Sequence, residues 1–469
     1  MDSREFAERI YLNLAFEPNS QQVELIAALA HFCSAETVSD SVFLLNGYAG
    51  TGKTSVTGAL VRALRECKIP VVLLAPTGRA AKVFGALARY PASTIHRRIY
   101  RAPGPGNGFE FGAVADNTLA DAVFIVDEAS MIGGGSSGRE NLLEDLIHYV
   151  YSGIGCRMIL VGDTAQLPPV GTDESPAMNV GVLRSYGLRV SKAVMTEVVR
   201  QARRSGILYN ATWLRKAMRL PELPEPQIRT RGFDDVVITT SEELEEDLED
   251  AYSSGGVDNT IVITRSNKRA TGFNLAIRSR ILGREEELCV DERLLVAKNN
   301  YLWSAKVKGL DFIANGDIAY VSHIYGTETK YGLRFADVRL TLPDRDIELD
   351  CKIMLDALTS DTPGLPANLT EMLYSSIMCD PDLFTADTPA GVRMRMLRSD
   401  PYFNALQVKY AYAVTCHKAQ GGQWPTVFVD MGYIAPEAYG MDLYRWMYTA
   451  VTRASEEVWF INPAVKVVE

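Results

Sequence analysis

Residues 42–54 narrow the fold more than any other part of the sequence. Residues 42–45 are a short leucine-rich apolar run. Gly47-Tyr48-Ala49-Gly50-Thr51-Gly52-Lys53-Thr54 follows at once, and residues 54–66 then take up a helical period. A strand, a glycine-rich turn and a helix in that order belong to a parallel sheet covered by helices, with the turn at the carboxyl end of a buried strand. The glycines allow a tight backbone whose amides can wrap an anion. Lys53 can reach the β- and γ-phosphates of a nucleotide, and Thr54 offers a hydroxyl to Mg²⁺.

The same pattern continues on both sides. Residues 71–75, 123–126 and 158–161 read as further buried strands, and 79–87 as a helix. The 123–126 run ends in Asp127-Glu128. One carboxylate there can hold a metal ion and the next can polarise an attacking water. From 97 to 120 the pattern breaks at a turn-rich stretch, 102–108, followed by Phe109-Glu110-Phe111, which reads as a small hairpin-type excursion. A second α/β pattern begins near residue 200. Helical periods cover 206–219, 242–251 and 267–281, and strand-like runs cover 236–239 and 260–263. Short strand candidates at 318–324, 332–342 and 347–349 interrupt it. The α/β pattern resumes at 410–414, 426–429, 441–451 and 458–461.

The expected fold class is therefore α/β with two parallel-sheet domains. The first takes 1–95 and 121–199, with an accessory insertion at 96–120. The second takes 200–315 and 405–469, interrupted by a β-rich insertion at 316–404. The 469 residues suffice for two to four domains.

A formal net charge of −10 speaks at first against a nucleic-acid partner. The distribution speaks otherwise. Residues 234–250 hold nine acidic side chains and no basic one, with Leu244 and Leu248 spaced for one packed helical face above an acidic solvent face. Residues 265–308 carry ten Lys and Arg against five Asp and Glu, and 393–418 carry five against one. Basic surface is concentrated in the second half, where a polyanion would find it. The seven cysteines are scattered and never form a CxxC pair, so free thiols in a reducing cytoplasm are expected, with no structural metal. Residues 1–19 carry four acidic side chains and no long apolar run, which fits neither a signal peptide nor a membrane anchor.

Nucleotide hydrolysis alone does not say what the energy drives. Longer strings narrow it: Gly162-Asp163-Thr164-Ala165-Gln166-Leu167-Pro168-Pro169-Val170, Thr196-Glu197-Val198-Val199-Arg200, Val414-Thr415-Cys416-His417-Lys418-Ala419-Gln420-Gly421 and Tyr448-Thr449-Ala450-Val451-Thr452-Arg453-Ala454. With these, the chain from Gln22 to Arg453 resembles a superfamily-1 helicase of the RecD/Pif-like branch, which includes the phage Dda-type enzymes. The resemblance implies two RecA-like domains around an ATP cleft, an SH3-like insertion, and 5′→3′ movement on single-stranded DNA. Cys416 and Ala419 depart from the usual Val and Ser of that motif.

Carried over position by position, the resemblance implies that Gln22 reads adenine, with its neighbour Gln21 as the alternative. It implies that Gln166, Arg200 and the finger Arg453 meet the γ-phosphate, and that Gly421 sits near ATP. Gly47, Ala49, Gly50, Thr51, Gly52, Lys53 and Thr54 bind the phosphates, and Thr54 with Asp127 holds Mg²⁺. Thr77 and Gly78 in Ala75-Pro76-Thr77-Gly78-Arg79, His96, Asn267, Thr415 and His417 contact DNA. Phe109 or Phe111 is either a wedge at the duplex junction or part of a local mini-core. Expected partners are single-stranded DNA and its junctions with duplex, engaged by a monomer. RNA, or a protein partner remodelled without unwinding, stays open as an alternative track.

Overall fold

Strands that are apolar without alternation have to be covered on both faces, and the four central strands of the first sheet are. A computed structural model describes residues 2–34, 40–100, 114–134, 141–198, 205–307, 310, 312–343, 346–385 and 387–468. In it, β1 (Ser41–Gly47), β2 (Val71–Ala75), β3 (Ala92–Thr94), β4 (Val123–Val126), β5 (Arg157–Gly162) and β6 (Arg189–Met195) form one parallel sheet in the order β3-β2-β4-β5-β1-β6. Alternate residues feed two cores. Phe43, Leu45, Leu73, Ile125 and Val161 pack under α1 (Ser3–Leu12), α2 (Ser20–Cys33), α3 (Lys53–Glu66) and α4 (Gly78–Ala88). Val42, Leu44, Leu74, Phe124 and Leu160 pack against α5 (Ile95–Ile99), α6 (Leu142–Ser152) and α7 (Val180–Ser185).

The excursion expected at 96–120 leaves and returns where Tyr100 and Val114 form an antiparallel bridge, and the Ala115 amide donates to Ile99 at 2.7 Å. Phe109 and Phe111 lie outside the described residues.

The second lobe opens with α8 (Gly206–Ala217), a short strand β7 (Gln227–Arg229), β8 (Val236–Thr239), α9 (Leu244–Gly255), β9 (Thr260–Thr264) and α10 (Asn267–Ala276). The second half of the acidic stretch, from residue 244, forms the start of α9. Its Leu248 and Tyr252 are buried, Glu245, Glu246, Glu249 and Asp250 are exposed, and Asp247 accepts from the Thr239 hydroxyl.

Next come the strands of a closed barrel: β10 (Arg293–Val296), β11 (Ile318–Lys330), β12 (Leu333–Leu342), β13 (Ile347–Met354) and, after α11 (Ala367–Met378) and α12 (Ala390–Ser399), β14 (Leu406–Tyr410). The lobe is completed by β15 (Ala413–Thr415), α13 (Cys416–Ala419), β16 (Trp424–Asp430), α14 (Met441–Val451), β17 (Ala454–Ile461) and β18 (Lys466–Val468). Its sheet is parallel in the order β15-β9-β16-β17-β8, and β18 pairs with β7.

The β-rich insertion is thus a small closed barrel, but it is wider than residues 316–404. It takes β10 and β14 from segments that the sequence pattern assigns to the α/β lobe. Residues 410–414, read as one strand, divide between β14 in the barrel and β15 in the sheet. The reason is a shared core: Val262 and Phe428 of the sheet pack in the same cluster as Val321, Val338, Ile353 and Val408 of the barrel. At this junction Glu292, fully buried, accepts from Arg278 at 2.8 Å and from the Tyr412 hydroxyl at 2.8 Å, and Arg284 approaches to 3.2 Å. The helices α11 and α12 cover a satellite core built on Leu333, Phe335 and Met354.

Among the described residues no helix is long and apolar enough to cross a membrane, and no group of three or more His, Cys, Asp or Glu could hold a metal ion. The cysteines are free thiols.

Candidate nucleotide site and strand path

The loop after β1 bends through Gly50 at φ +73° and Gly52 at φ +84°, a region that side chains beyond glycine rarely enter. A β-carbon on Gly50 would also lie 2.9 Å from Leu208 of the second lobe. Gly52 caps α3 with no side chain of its own, so the first amides of that helix face the cleft as an anion cradle. The Lys53 ammonium donates to the carbonyls of Gly47 and Tyr48, the latter at 3.0 Å.

Beside the loop, β4 delivers its two carboxylates. The Asp127 amide donates to Leu74 at 2.9 Å, and Asp127 Oδ1 accepts from the Glu128 amide at 2.9 Å. Glu128 sits at φ +51°, which turns its side chain out of the strand line. Burial first, and the Glu128 charge second, push the Asp127 carboxyl above the usual carboxylate range. An adjacent cation would reverse that shift.

The end of β5 is tied across the cleft. Asp163, 1% exposed, accepts from the Ala165 amide at 3.0 Å and from the Tyr448 hydroxyl of α14 at 2.6 Å. The same hydroxyl accepts from the Ala49 amide at 2.9 Å. The Leu167 amide donates to Thr449 Oγ1 at 2.8 Å, and its carbonyl accepts from Gln420 Nε2 at 2.7 Å. Tyr48 is held by Arg219, which donates to its hydroxyl at 2.6 Å, and by the Arg215 guanidinium 4.3 Å from its ring centre.

These contacts enclose a cavity of about 380 Å³ lined by Ala49, Gly50, Gly52, Lys53, Thr54, Asp127, Glu128, Asp163 and Gln166 of the first lobe and by Arg453 of the second. Gln166 Oε1 is buried with no hydrogen-bond partner among the described residues. Such an orphan is costly unless a ligand or water completes it. Arg453, 3% exposed, is braced by the carbonyls of Thr449 and Gly422, each at 3.1 Å. Phosphate-sized space, open helix amides, a lysine, an arginine and an orphaned carboxamide fit a nucleoside triphosphate. The Thr54 hydroxyl and the Asp127 carboxylate supply the few hard oxygens Mg²⁺ needs beside phosphate oxygens.

Several sequence expectations land elsewhere. Gln22 is 1% exposed; it accepts from the Asn19 amide and donates to the Thr51 carbonyl at 3.1 Å. It braces the loop from behind and offers no free edge to adenine. Gln21 instead accepts from the amides of Thr196 and Glu197 at 2.9 and 3.0 Å, pinning the segment before Arg200. Thr51 is fully buried and donates to the Tyr48 carbonyl, so it shapes the loop and does not line the cavity. Gly421 also stands apart from the cavity. A β-carbon there would meet Ala80 at 2.9 Å and Thr77 Oγ1 at 3.1 Å, which puts Gly421 against the start of α4. Arg200 lies outside the described residues.

The elements expected to touch a strand lie on a second surface. Thr77 caps α4, accepting from the Ala80 amide at 3.2 Å, and Gly78 begins that helix. His96 starts α5. Burial drives its imidazole down to about 4, so it is neutral near pH 7. In the second lobe Asn267, Thr415, Lys418 and Lys409 line one small cavity, and His417 is exposed beside them. Arg79 crosses between the lobes, stacking 3.7 Å from the Trp424 ring centre and donating to the Gln423 carbonyl at 2.9 Å.

Sequence reasoning missed Tyr448, Thr449, Arg79 and Trp424 as working residues. Tyr448 carried a signal: a hydroxyl inside a helix otherwise destined for burial needs a partner.

Residues 18–220 match the AAA domain family, and residues 410–461 match the UvrD-like helicase C-terminal domain, between them more than half the chain. The chain is similar to superfamily-1 DNA helicases of the RecD2/Dda-like branch. The ATP-dependent RecD2 DNA helicase of Deinococcus radiodurans is 34% identical over 172 residues, 36% of this chain and 21% of that protein. The ATP-dependent DNA helicase dda of Enterobacteria phage T4 is 34% identical over 138 residues, 28% of this chain and 29% of that protein. The matched segments therefore take in under a third of either relative's length. A crystal structure of Pif1 helicase from Bacteroides, in complex with ADP-AlF3 and ssDNA, is 15% identical with a TM-score of 0.47, covering 97% of this chain and 95% of its own. The two matched segments are the ones that meet at the cavity: the first carries Lys53, Asp127 and Gln166, the second Arg453.

Proposed function

We propose that the chain is an ATP-dependent DNA helicase that moves 5′→3′ on single-stranded DNA and opens duplex ahead of it. The observation that carries this reading is the single cavity whose phosphate cradle comes from one lobe and whose buried arginine comes from the other. Closure of such a cleft depends on what it holds.

ATP hydrolysis there assigns each side chain a task. Lys53 leaves the carbonyls of Gly47 and Tyr48 to neutralise the β- and γ-phosphates. Mg²⁺, when bound, spreads the charge on the phosphate oxygens; Thr54 and Asp127 are the residues to hold it. Glu128 polarises the attacking water and takes its proton, while Gln166 Oε1 accepts a hydrogen bond that orients that water. Oxygen attacks the γ-phosphorus and the bond to ADP breaks, with Arg453 stabilising the charge that builds up. The motif around Arg200 gives that residue the same expected duty. Losing the γ-phosphate removes the anion that Lys53 and the arginines share, and the lobes part.

On the strand surface Thr77, Gly78 and His96 hold the first lobe's share, and Asn267, Thr415 and His417 the second's. Backbone phosphates are alike in every sequence, so tracking is largely sequence-independent. Phe109 or Phe111 is proposed at the junction with duplex. Polarity and the choice of DNA are supported by resemblance to the RecD2/Dda-like branch.

A strand-displacement assay tests the reading with 5′-tailed DNA, 3′-tailed DNA and the RNA equivalents, with Lys53→Ala as the blank. Opening of 5′-tailed DNA is expected. Opening of only 3′-tailed duplex refutes the polarity, preference for RNA refutes the substrate, and ATPase indifferent to any strand refutes tracking.

A further inference from the structure

One loop of the barrel returns over both lobes. It precedes β11 and closes in a tight turn, Ala314-Asn315-Gly316-Asp317, with Gly316 at φ +96°. The Asp317 amide donates to the Ala314 carbonyl at 3.0 Å, and Asp317 Oδ2 accepts from the Ala314 amide at 2.8 Å. The Asn315 amide donates to Asn299 Oδ1 at 2.7 Å, which anchors the turn to the barrel.

From residues 312–317 three side chains reach three different strand-surface elements. The Phe312 ring meets the His96 ring edge-on, with centroids 6.5 Å apart, and leans on Tyr301 at 5.4 Å. The Asn315 carboxamide oxygen accepts from the Lys418 ammonium of the second lobe. Asp317, 5% exposed, aims Oδ1 at the start of α4, where a β-carbon on Gly78 would lie 2.8 Å from it.

The chemistry of these contacts is that of a phosphate. A carboxylate at the first turn of α4 has the charge and the acceptor oxygens of a backbone phosphate, and it meets the positive end of the helix dipole. An amide oxygen on Lys418 takes the donor that a second phosphate would use. One loop thus occupies a phosphate position on each lobe and adds an aromatic contact at His96.

We propose that residues 312–317 form a strap that fills the strand path when no nucleic acid is present, with Asp317 standing in for a phosphate at α4, and that an entering strand displaces it. The proposal rests on the strand-tracking reading. It makes strand entry a competition, so weakly held strands are turned away and the lobes stay bridged between encounters.

The test uses the full chain and a fluorescent oligothymidine, followed by anisotropy at about 50 mM salt. Asp317→Asn keeps the turn's acceptor oxygen and removes the charge. Roughly tenfold tighter binding is expected, shrinking as salt rises because the competing charge is screened. A Gly78→Cys, Asp317→Cys pair, in a Cys379→Ser background because Cys379 is exposed, closes the strap on oxidation and frees it on reduction. Oxidation should cost at least tenfold in affinity, and reductant should restore it.

Equal or weaker binding by Asp317→Asn, or equal binding by the oxidised and reduced pair, overturns the strap alone and makes the loop a fixed wall. Failure of both wild type and Asp317→Asn to bind any strand overturns the tracking reading and the strap with it. Binding by Asp317→Asn where wild type fails sustains the strap.

Discussion

Tyr448→Phe removes one oxygen and no packing, which makes it the sharpest probe of how the lobes communicate. Its hydroxyl donates to Asp163 and accepts from the Ala49 amide, so a single atom joins the end of β5, the phosphate loop and α14. Asp163 and Tyr448 are each 1% exposed. Without the hydroxyl, Asp163 keeps the Ala165 amide but leaves Oδ2 bare, and the Ala49 amide loses its acceptor. A hydrogen bond to a buried charge contributes about 1.5–3 kcal/mol and a neutral one about 0.5–1.5. Both act only while the cleft is closed, because water repairs them once it opens. A net bias of about 2 kcal/mol against closure lowers turnover about 30-fold. The assay is ATPase rate at saturating ATP, with and without a saturating DNA oligomer, beside binding of a fluorescent ADP and thermal melting. Strand-stimulated turnover should fall by that factor, with ADP binding and Tm nearly kept. Full stimulated turnover, or a large loss of Tm with turnover intact, refutes the idea that this hydroxyl links nucleotide to closure.

Three further outcomes are expected. Gly421→Ala forces a β-carbon into Ala80 and Thr77 at a residue with φ +72°, so stimulation of ATPase by DNA should drop at least tenfold while the unstimulated rate stays within about twofold. Glu292→Ala leaves Arg278 and Arg284 without their shared carboxylate at the barrel junction; denaturant unfolding should show a loss of about 3–5 kcal/mol. Burial pushes Lys409 and Lys418 each down to about 8. Phosphate binds the protonated forms, so both charges are complete well below that value and are lost as pH rises through it. Strand affinity measured by anisotropy should therefore weaken between about pH 7 and pH 9, and Lys418→Arg should flatten that slope.

The phosphate loop, the Asp127-Glu128 pair and the two-lobed plan were legible because each joins a change of periodicity to a chemical string. Strands such as 42–45 and 158–161 show as apolar runs, since a parallel sheet hides both faces. The barrel's edges were not legible. β10 is four residues long, and β14 ends three residues before β15, so no change of period marks the passage from barrel to sheet. Gln22 and Gly421 were placed by motif position. Their environment depends on which side of the loop each backbone presents, and on how closely α4 and α13 approach; neither is written in local sequence. Tyr448 was visible as a polar tip in a buried helix, but its partners lie 285 and 399 residues away in the chain.

The nucleotide and strand surfaces are joined by two consecutive residues. Gln420 holds the Leu167 carbonyl, one residue from Gln166 in the cavity, while Gly421 presses on Thr77 and Ala80 at the start of α4, where the first lobe is proposed to grip a phosphate. Neighbouring α-carbons across a trans peptide are about 3.8 Å apart, so no long chain of contacts is needed to carry a signal. On the proposed mechanism Gln166 changes partners as the γ-phosphate leaves; a shift passed to Leu167 would make Gln420 either follow or let go. If it follows, Gly421 slides on α4. If it lets go, only Arg79 on Trp424 and the strap remain among these strand-side ties, and the lobes separate there too. Either course alters the strand grip in the same event that empties the cleft, and close packing without a side chain at Gly421 is what makes the second surface respond to the first.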